Sequence, residues 1–354
     1  MAIQLKPIRD QVIVITGASS GIGLATAHLA ASRGARLVLV SRNREALDAL
    51  SAEISRGGGE AAVVVADVAR REDLEHVAAR AREAFGGFDT WVNNAGVSVY
   101  GTVQDIPLAD HRRVFDVDYW GVVHGSLIAA RELRERGGAI INIGSVLSDR
   151  ALVLQGPYAA AKHAVKAFTD TLRMELEHDG APVSVTLVKP SAIDTPFFEH
   201  ARSRLDAPGI RNPPPAYDPS LVAKAILHAA ETPKRTIVVG LGGYAISLMG
   251  AHFPRLTDLV MEAVGFQGQK TEVPTPPGRR DNLYAPRQDG MEHSGLPGGR
   301  RETSVYLEAQ LHPVVTAAAI VGVAAAIGGI LAARRSGRGR VRDIESEFRR
   351  AGGA

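Results

Sequence analysis

The feature that most constrains this chain is an alternation. Short apolar, β-branched runs take turns with amphipathic stretches of a dozen residues or more over its first two thirds. QVIVIT (11–16), ARLVLVS (35–41), AAVVVADV (61–68), FDTWVNNAG (88–96), GAIINIGS (138–145), VSVTLVKP (183–190) and TIVVG (236–240) read as strands. Helical periodicity falls on 21–33, 44–55 and 72–85, and on longer segments around 111–135 and 157–178. Continuously apolar strands are buried on both faces, and strands separated by helices are parallel. Right-handed crossovers then give an α/β fold, a doubly wound parallel sheet of Rossmann type.

The pattern fades near Phe266. Residues 1–265 are therefore read as a single catalytic domain. Residues 266–311 hold five prolines and six glycines in 46 positions, the composition of a linker. Residues 313–333 carry no charge over 21 positions, enough for a helix of ~31 Å, and 312–334 is read as a hydrophobic, membrane-associated or transmembrane helix. A basic tail, 335–354, closes the chain.

Charge supports that division. The net charge is +3, while Arg334 to Ala354 alone hold seven arginines and three acids, or +4, leaving about −1 for the body. No nucleic-acid surface is indicated. There is no cysteine, so disulfides, thiolate zinc sites and cysteine nucleophiles are excluded, and no metal site is read. The N-terminus, MAIQLKPIRD, lacks the apolar run of a secretory signal. Together these place the catalytic domain in the cytoplasm with membrane contact through 313–333, a soluble cytoplasmic protein being the second choice. Topology leaves a conflict: a single span would send the +4 tail outward, against the positive-inside tendency.

Where the first strand meets the first helix stands TGASSGIG (16–23), with Gly17, Gly21 and Gly23 spaced G-x-x-x-G-x-G. Glycines there allow a sharp turn and a close backbone approach, and a helix N-terminus favours an anion such as a pyrophosphate. The bland reading is a tight βα turn. Downstream, YAAAK sets Tyr158 and Lys162 four apart, hence on one helix face. An ammonium beside a phenol favours the phenolate and makes tyrosine a usable acid/base.

Together, TGASSGIG, NNAG (93–96), Ser145 thirteen residues before Tyr158, and YAAAK resemble the short-chain dehydrogenase/reductase family over roughly residues 8–250. The resemblance implies hydride transfer between a nicotinamide cofactor and a carbonyl/alcohol pair. Tyr158 would be acid/base, Lys162 would tune it and bind ribose, and Ser145 would orient the substrate oxygen. It implies cofactor contacts from Gly17, Ser19, Ser20, Gly21, Ile22 and Gly23. Ser41, Arg42, Asp67 and Val68 would meet the adenosine end. NNAG (Asn93, Asn94, Ala95, Gly96) lines the cofactor and steadies the sheet. Pro190, Ile193 and Thr195, with Tyr158 and Lys162, would approach the nicotinamide half.

The second strand ends LVLVSRNRE, without an acid at Val40 or Ser41 and with Arg42 next. A guanidinium suits a 2′-phosphate, so NADP(H) is favoured and NAD(H) remains the other option. One position departs from the family pattern: Asp118 stands where the family has asparagine. Its carboxylate could pair with Lys162 and weaken the lysine's effect on Tyr158. A substrate lid is expected over 196–218, where Arg202, Arg204 and Arg211 read as solvated charges. A homo-oligomer through 111–135 and 157–178 is expected, and a membrane tether would favour a lipophilic substrate. The alternative is a catalytically weak or inactive cofactor-binding homologue acting as membrane scaffold or redox sensor; lyase or epimerase chemistry on nucleotide-sugars is disfavoured by the glycine spacing.

Overall fold

A computed structural model describes residues 3–272, 280–287, 290–295, 299–319 and 321. The seven expected strands form one sheet: β1 (Val12–Thr16), β2 (Arg36–Ser41), β3 (Ala61–Val65), β4 (Thr90–Asn93), β5 (Gly138–Ile143), β6 (Val183–Pro190) and β7 (Thr236–Val239). Their order is β7-β6-β5-β4-β1-β2-β3, every neighbour parallel. The chain order reverses between β1 and β4, so the sheet opens a crevice there at its carboxyl edge.

The principal helices are α1 (Gly21–Ser32), α2 (Arg44–Arg56), α3 (Arg71–Phe85), α4 (Leu108–Phe115), α5 (Gly121–Leu133), α6 (Gly156–His178), α7 (Pro219–Glu231), α8 (Leu241–His252) and α9 (Pro254–Gly268). Helices α3, α5 and α6 contribute Leu74, Val77, Ile128, Leu133, Leu172 and Leu176 to a core with Val12, Val14, Val38, Val40 and Ile140. Alternate strand residues point to opposite faces. Ile13, Ile15, Leu37 and Leu39, the other parity, are fully buried as well. Both faces are covered, as the apolar strands require, and α1 packs against α7.

One expectation changes. Residues 266–311 were expected to be a linker. Their described parts instead make specific contacts: Leu283 is fully buried in the main core, and Arg300–Arg301 pairs with Ala216–Tyr217 as a short parallel ladder. Proline and glycine content sets local backbone freedom and carries no information about such long-range contacts. Among the described residues no helix is long and apolar enough to cross a membrane. Residues 320 and 322–354, with most of the 313–333 stretch and all of the 335–354 tail, lie outside the described residues.

Candidate active site

The glycine turn lies at the crevice. Gly17 adopts φ +69°, and a Cβ there would meet Ala95 Cα at 2.9 Å. At Gly23 a Cβ would come within 2.0 Å of the Gly17 carbonyl oxygen, so this glycine seats α1 against the turn. Gly17, Ser19, Ser20, Gly21 and Ile22 line a cleft of about 610 Å³, and Gly23 sits behind them. Ser20 caps α1 without a side-chain bond to its amides. The Gly21 amide donates instead to the Met291 carbonyl, at 2.9 Å.

At the end of β2, Ser41, Arg42 and Asn43 line the same cleft, followed by Asp67 and Val68 beyond β3. Arg42 donates to the main-chain carbonyls of Asn282 and Leu283. Its burial lowers the guanidinium pKa, the Asp67 charge opposing. Asp67 accepts from Arg113 at 2.6 Å and from the Ala69 amide at 3.1 Å.

The NNAG residues divide. Asn94, Ala95 and Gly96 line the cleft, and the Asn94 side chain donates to the Thr16 carbonyl at 2.9 Å. Asn93 lies inside, in a buried amide chain. It accepts from Trp91 Nε1 at 2.8 Å and donates to Ser126 Oγ at 3.0 Å and Asn142 Oδ1 at 2.8 Å. Asn142 passes the chain to Thr169 Oγ1 at 2.9 Å, tying β4 and β5 to α5 and α6.

Ser145, Tyr158 and Lys162 converge at the far end. Ser145 follows β5 and caps a short turn, its hydroxyl accepting from the Leu147 amide at 3.1 Å. Pro157 opens α6, and one turn of helix carries Tyr158 and Lys162 to the same wall. The Ser145 side chain is near enough to the Tyr158 phenol to lower its pKa. Lys162 is buried, donates to the Ile143 carbonyl at 3.0 Å and lies 5.4 Å from the Tyr158 ring centroid.

Asp118 occupies a π-turn, Asp116–Trp120, between α4 and α5, a helical irregularity common at functional sites. It is fully buried and does not line the cleft. Oδ1 accepts from the Val97 amide at 2.8 Å; Oδ2 lies 3.7 Å from Lys162 Nζ without a hydrogen bond. Burial raises its pKa to about 6, Lys162 pulling the other way. Burial likewise raises the Tyr158 pKa, and the Asp118 charge raises it further, while the Ser145 side chain lowers it. The pairing of Asp118 with Lys162 read from the sequence is thus present, and its sign opposes the phenolate.

On the other side, Pro190, Ile193 and Thr195 line the cleft, with Phe197 stacked obliquely 5.5 Å from the Tyr158 ring. Of the three lid arginines only Arg211 lines it, donating to the Gly268 carbonyl at 2.9 Å. Arg202 and Arg204 bind Asp110, and Arg202 also binds Asp281, so these are paired structural charges. Sequence reading missed a wall built by α8 and α9. Ile246, Ser247, Met261, Val264 and Gly265 line the cleft, as do Gln155 and Gln269, whose side chains hydrogen-bond at 2.6 Å. Apolar character continuing past β7 into 241–268 was the available signal.

The arrangement suits a dinucleotide. A glycine turn and a helix start lie at one place, a guanidinium at the end of β2. Asn282, a cleft residue, has a buried side-chain oxygen without a hydrogen-bond partner. Elsewhere the cleft presents a phenol, a hydroxyl and an ammonium, those of Tyr158, Ser145 and Lys162.

Residues 11–206 match the short chain dehydrogenase family model. An uncharacterized oxidoreductase, YxnA, of Bacillus subtilis is 46% identical over 326 residues, covering 91% of each chain. The bovine dehydrogenase/reductase SDR family member 7B is 37% identical over 196 residues, covering 53% of this chain and 59% of its own. A short-chain dehydrogenase/reductase of Burkholderia phymatum in complex with NAD has a TM-score of 0.64 at 28% identity, covering 72% of this chain and 96% of its own. An alcohol dehydrogenase of Thermococcus sibiricus complexed with 5-hydroxy-NADP has a TM-score of 0.57 at 25% identity, covering 65% of this chain and 95% of its own.

Proposed function

Because the chain belongs to the short-chain dehydrogenase/reductase family and is an NAD(P)-dependent dehydrogenase/reductase, we propose that it interconverts a lipophilic carbonyl and its alcohol with NADP(H), Tyr158 serving as acid/base. The observation that carries this reading is the convergence of Tyr158, Ser145 and Lys162 on one wall of the cleft, Lys162 Nζ 5.4 Å from the phenol ring.

The dinucleotide would be held by Gly17, Ser19, Ser20, Gly21 and Ile22 at the turn, with Gly23 supporting them. Ser41, Arg42, Asp67 and Val68 would take the adenosine end. Asn94, Ala95, Gly96, Pro190, Ile193 and Thr195 would take the nicotinamide half. When bound, the cofactor supplies or accepts the hydride at the carbonyl carbon. In the reducing direction the Tyr158 hydroxyl gives its proton to the carbonyl oxygen, and the Ser145 hydroxyl hydrogen-bonds the same oxygen. The Lys162 ammonium favours the phenolate left behind. Oxidation runs the same proton backward.

NADP(H) is preferred over NAD(H) on the absence of an acid at Val40 and Ser41 and the presence of Arg42. A lipophilic substrate is supported by the apolar wall of Ile246, Met261 and Val264. A homo-oligomer is supported by Leu127 and Met174, apolar side chains 43% and 54% exposed on α5 and α6. One observation favours the weakly active homologue instead: the buried Asp118 carboxylate makes the Tyr158 phenolate harder to form. Absorbance-monitored NADPH oxidation by the full chain, against aldehydes, ketones, steroids and long-chain carbonyls, separates the two. Turnover that disappears in Tyr158→Phe supports the reductase. Cofactor binding without turnover across pH overturns it in favour of the homologue.

A further inference from the structure

The main-chain carbonyl of Met291 sits 2.9 Å from the Gly21 amide, at the N-terminus of α1. That amide is where a helix start holds an anion. The contact is anchored on both lips of the cleft. On one lip Glu292 binds His28 Nδ1 of α1, at 2.5 Å. On the other, Ser294 Oγ donates to Asp194 Oδ1 at 2.5 Å, just after β6.

We propose that residues 290–295 form a closing strap that occupies the pyrophosphate seat and must lift from Gly21 before a dinucleotide can enter. The proposal rests on the cofactor reading above. The physical reason is competition for one donor: the Gly21 N–H cannot serve a phosphate oxygen while it serves Met291. The Gly295 amide adds a third anchor, donating to Glu199 Oε1, so α1 holds the strap on one side and Asp194 and Glu199 hold it on the other, and it opens only when one side lets go. Cofactor entry is then a two-step process, opening followed by binding.

The test uses the full chain and a double variant, Glu292→Gln with Ser294→Ala, which loosens the strap's two side-chain anchors and leaves the cleft-lining residues intact. Without cofactor, hydrogen exchange of the Gly21 amide should be slow in the wild type and at least tenfold faster in the variant. The sheet amides of Ile13 and Ile140 should be unchanged, showing that the variant is folded. A Gly21 amide that exchanges freely in the wild type, or equally in both proteins, overturns the strap. In stopped-flow mixing with NADPH, the observed rate should reach a plateau with concentration, and the plateau should rise several-fold in the variant. Rates that stay linear with the same slope in both proteins also overturn it. If NADPH does not bind at all, the cofactor reading fails, and the exchange measurement still decides the strap.

Discussion

Lys162 Nζ lies 3.7 Å from Asp118 Oδ2, and the two side chains are 4% and 0% exposed. The ammonium that should favour the Tyr158 phenolate is therefore shared with a buried carboxylate. Because burial raises the Asp118 pKa to about 6, pH decides how much of that opposing charge is present.

Asp118→Asn keeps an acceptor for the Val97 amide and removes the charge. With less negative charge nearby, the Tyr158 pKa falls, so alcohol oxidation should rise at lower pH than in the wild type. A pH–rate profile that does not move would show that Asp118 leaves the tyrosine untouched. The same variant tests linkage. A carboxyl whose pKa rises from 3.8 to about 6 on folding contributes stability below pH 4 that is lost as pH climbs through 6. The stability of Asp118→Asn relative to wild type should therefore increase over that window, by on the order of 3 kcal/mol, then level off. Chemical denaturation at several pH values reads it directly.

Tyr158→Phe deletes the proton donor and keeps the ring beside Phe197. Turnover should fall by roughly 10²–10⁴, the span of general acid–base catalysis. NADPH affinity, measured by fluorescence titration, should change little.

Arg42→Ala should raise the Kd for NADPH by roughly tenfold or more while NADH binding changes less, since a charge-assisted bond to a 2′-phosphate contributes about 1.5–3 kcal/mol. Equal losses for both cofactors would mean that Arg42 serves only the Asn282 and Leu283 carbonyls.

Val264 lines the cleft and is 57% exposed, so Val264→Asp should fold. It should raise KM for long-chain carbonyls by roughly tenfold, about 1–2 kcal/mol of lost apolar contact and added desolvation. KM for a short aldehyde should hold. Parallel Michaelis–Menten measurements on the two substrates separate these cases.

Asn93→Ala would leave the Trp91 N–H without its partner and take from Asn142 Oδ1 one of its two donors, Ser126 Oγ being the other. A destabilisation of about 2–3 kcal/mol is expected, measurable as a lowered Tm. An unchanged melting curve would contradict the structural role of this amide chain.

What the sequence by itself determined is local or periodic. Seven apolar runs at strand length specify seven strands, because each pattern carries its own face and period. The glycine turn is legible because its backbone demands are local. Tyr158 and Lys162 meet because four residues on a helix return to one face, whatever surrounds them. Tertiary structure alone decided the rest. Residues 280–287 and 290–295 reach Arg42 and Gly21 through main-chain carbonyls, those of Asn282, Leu283 and Met291, and a carbonyl looks the same in every residue. The α8–α9 wall depends on how helices beyond the sheet fold back over it. Asp118 could be seen in the sequence as a departure, but its weight comes from complete burial beside Lys162. Burial removes the water that would otherwise screen the pair, and no spacing along the chain records that removal.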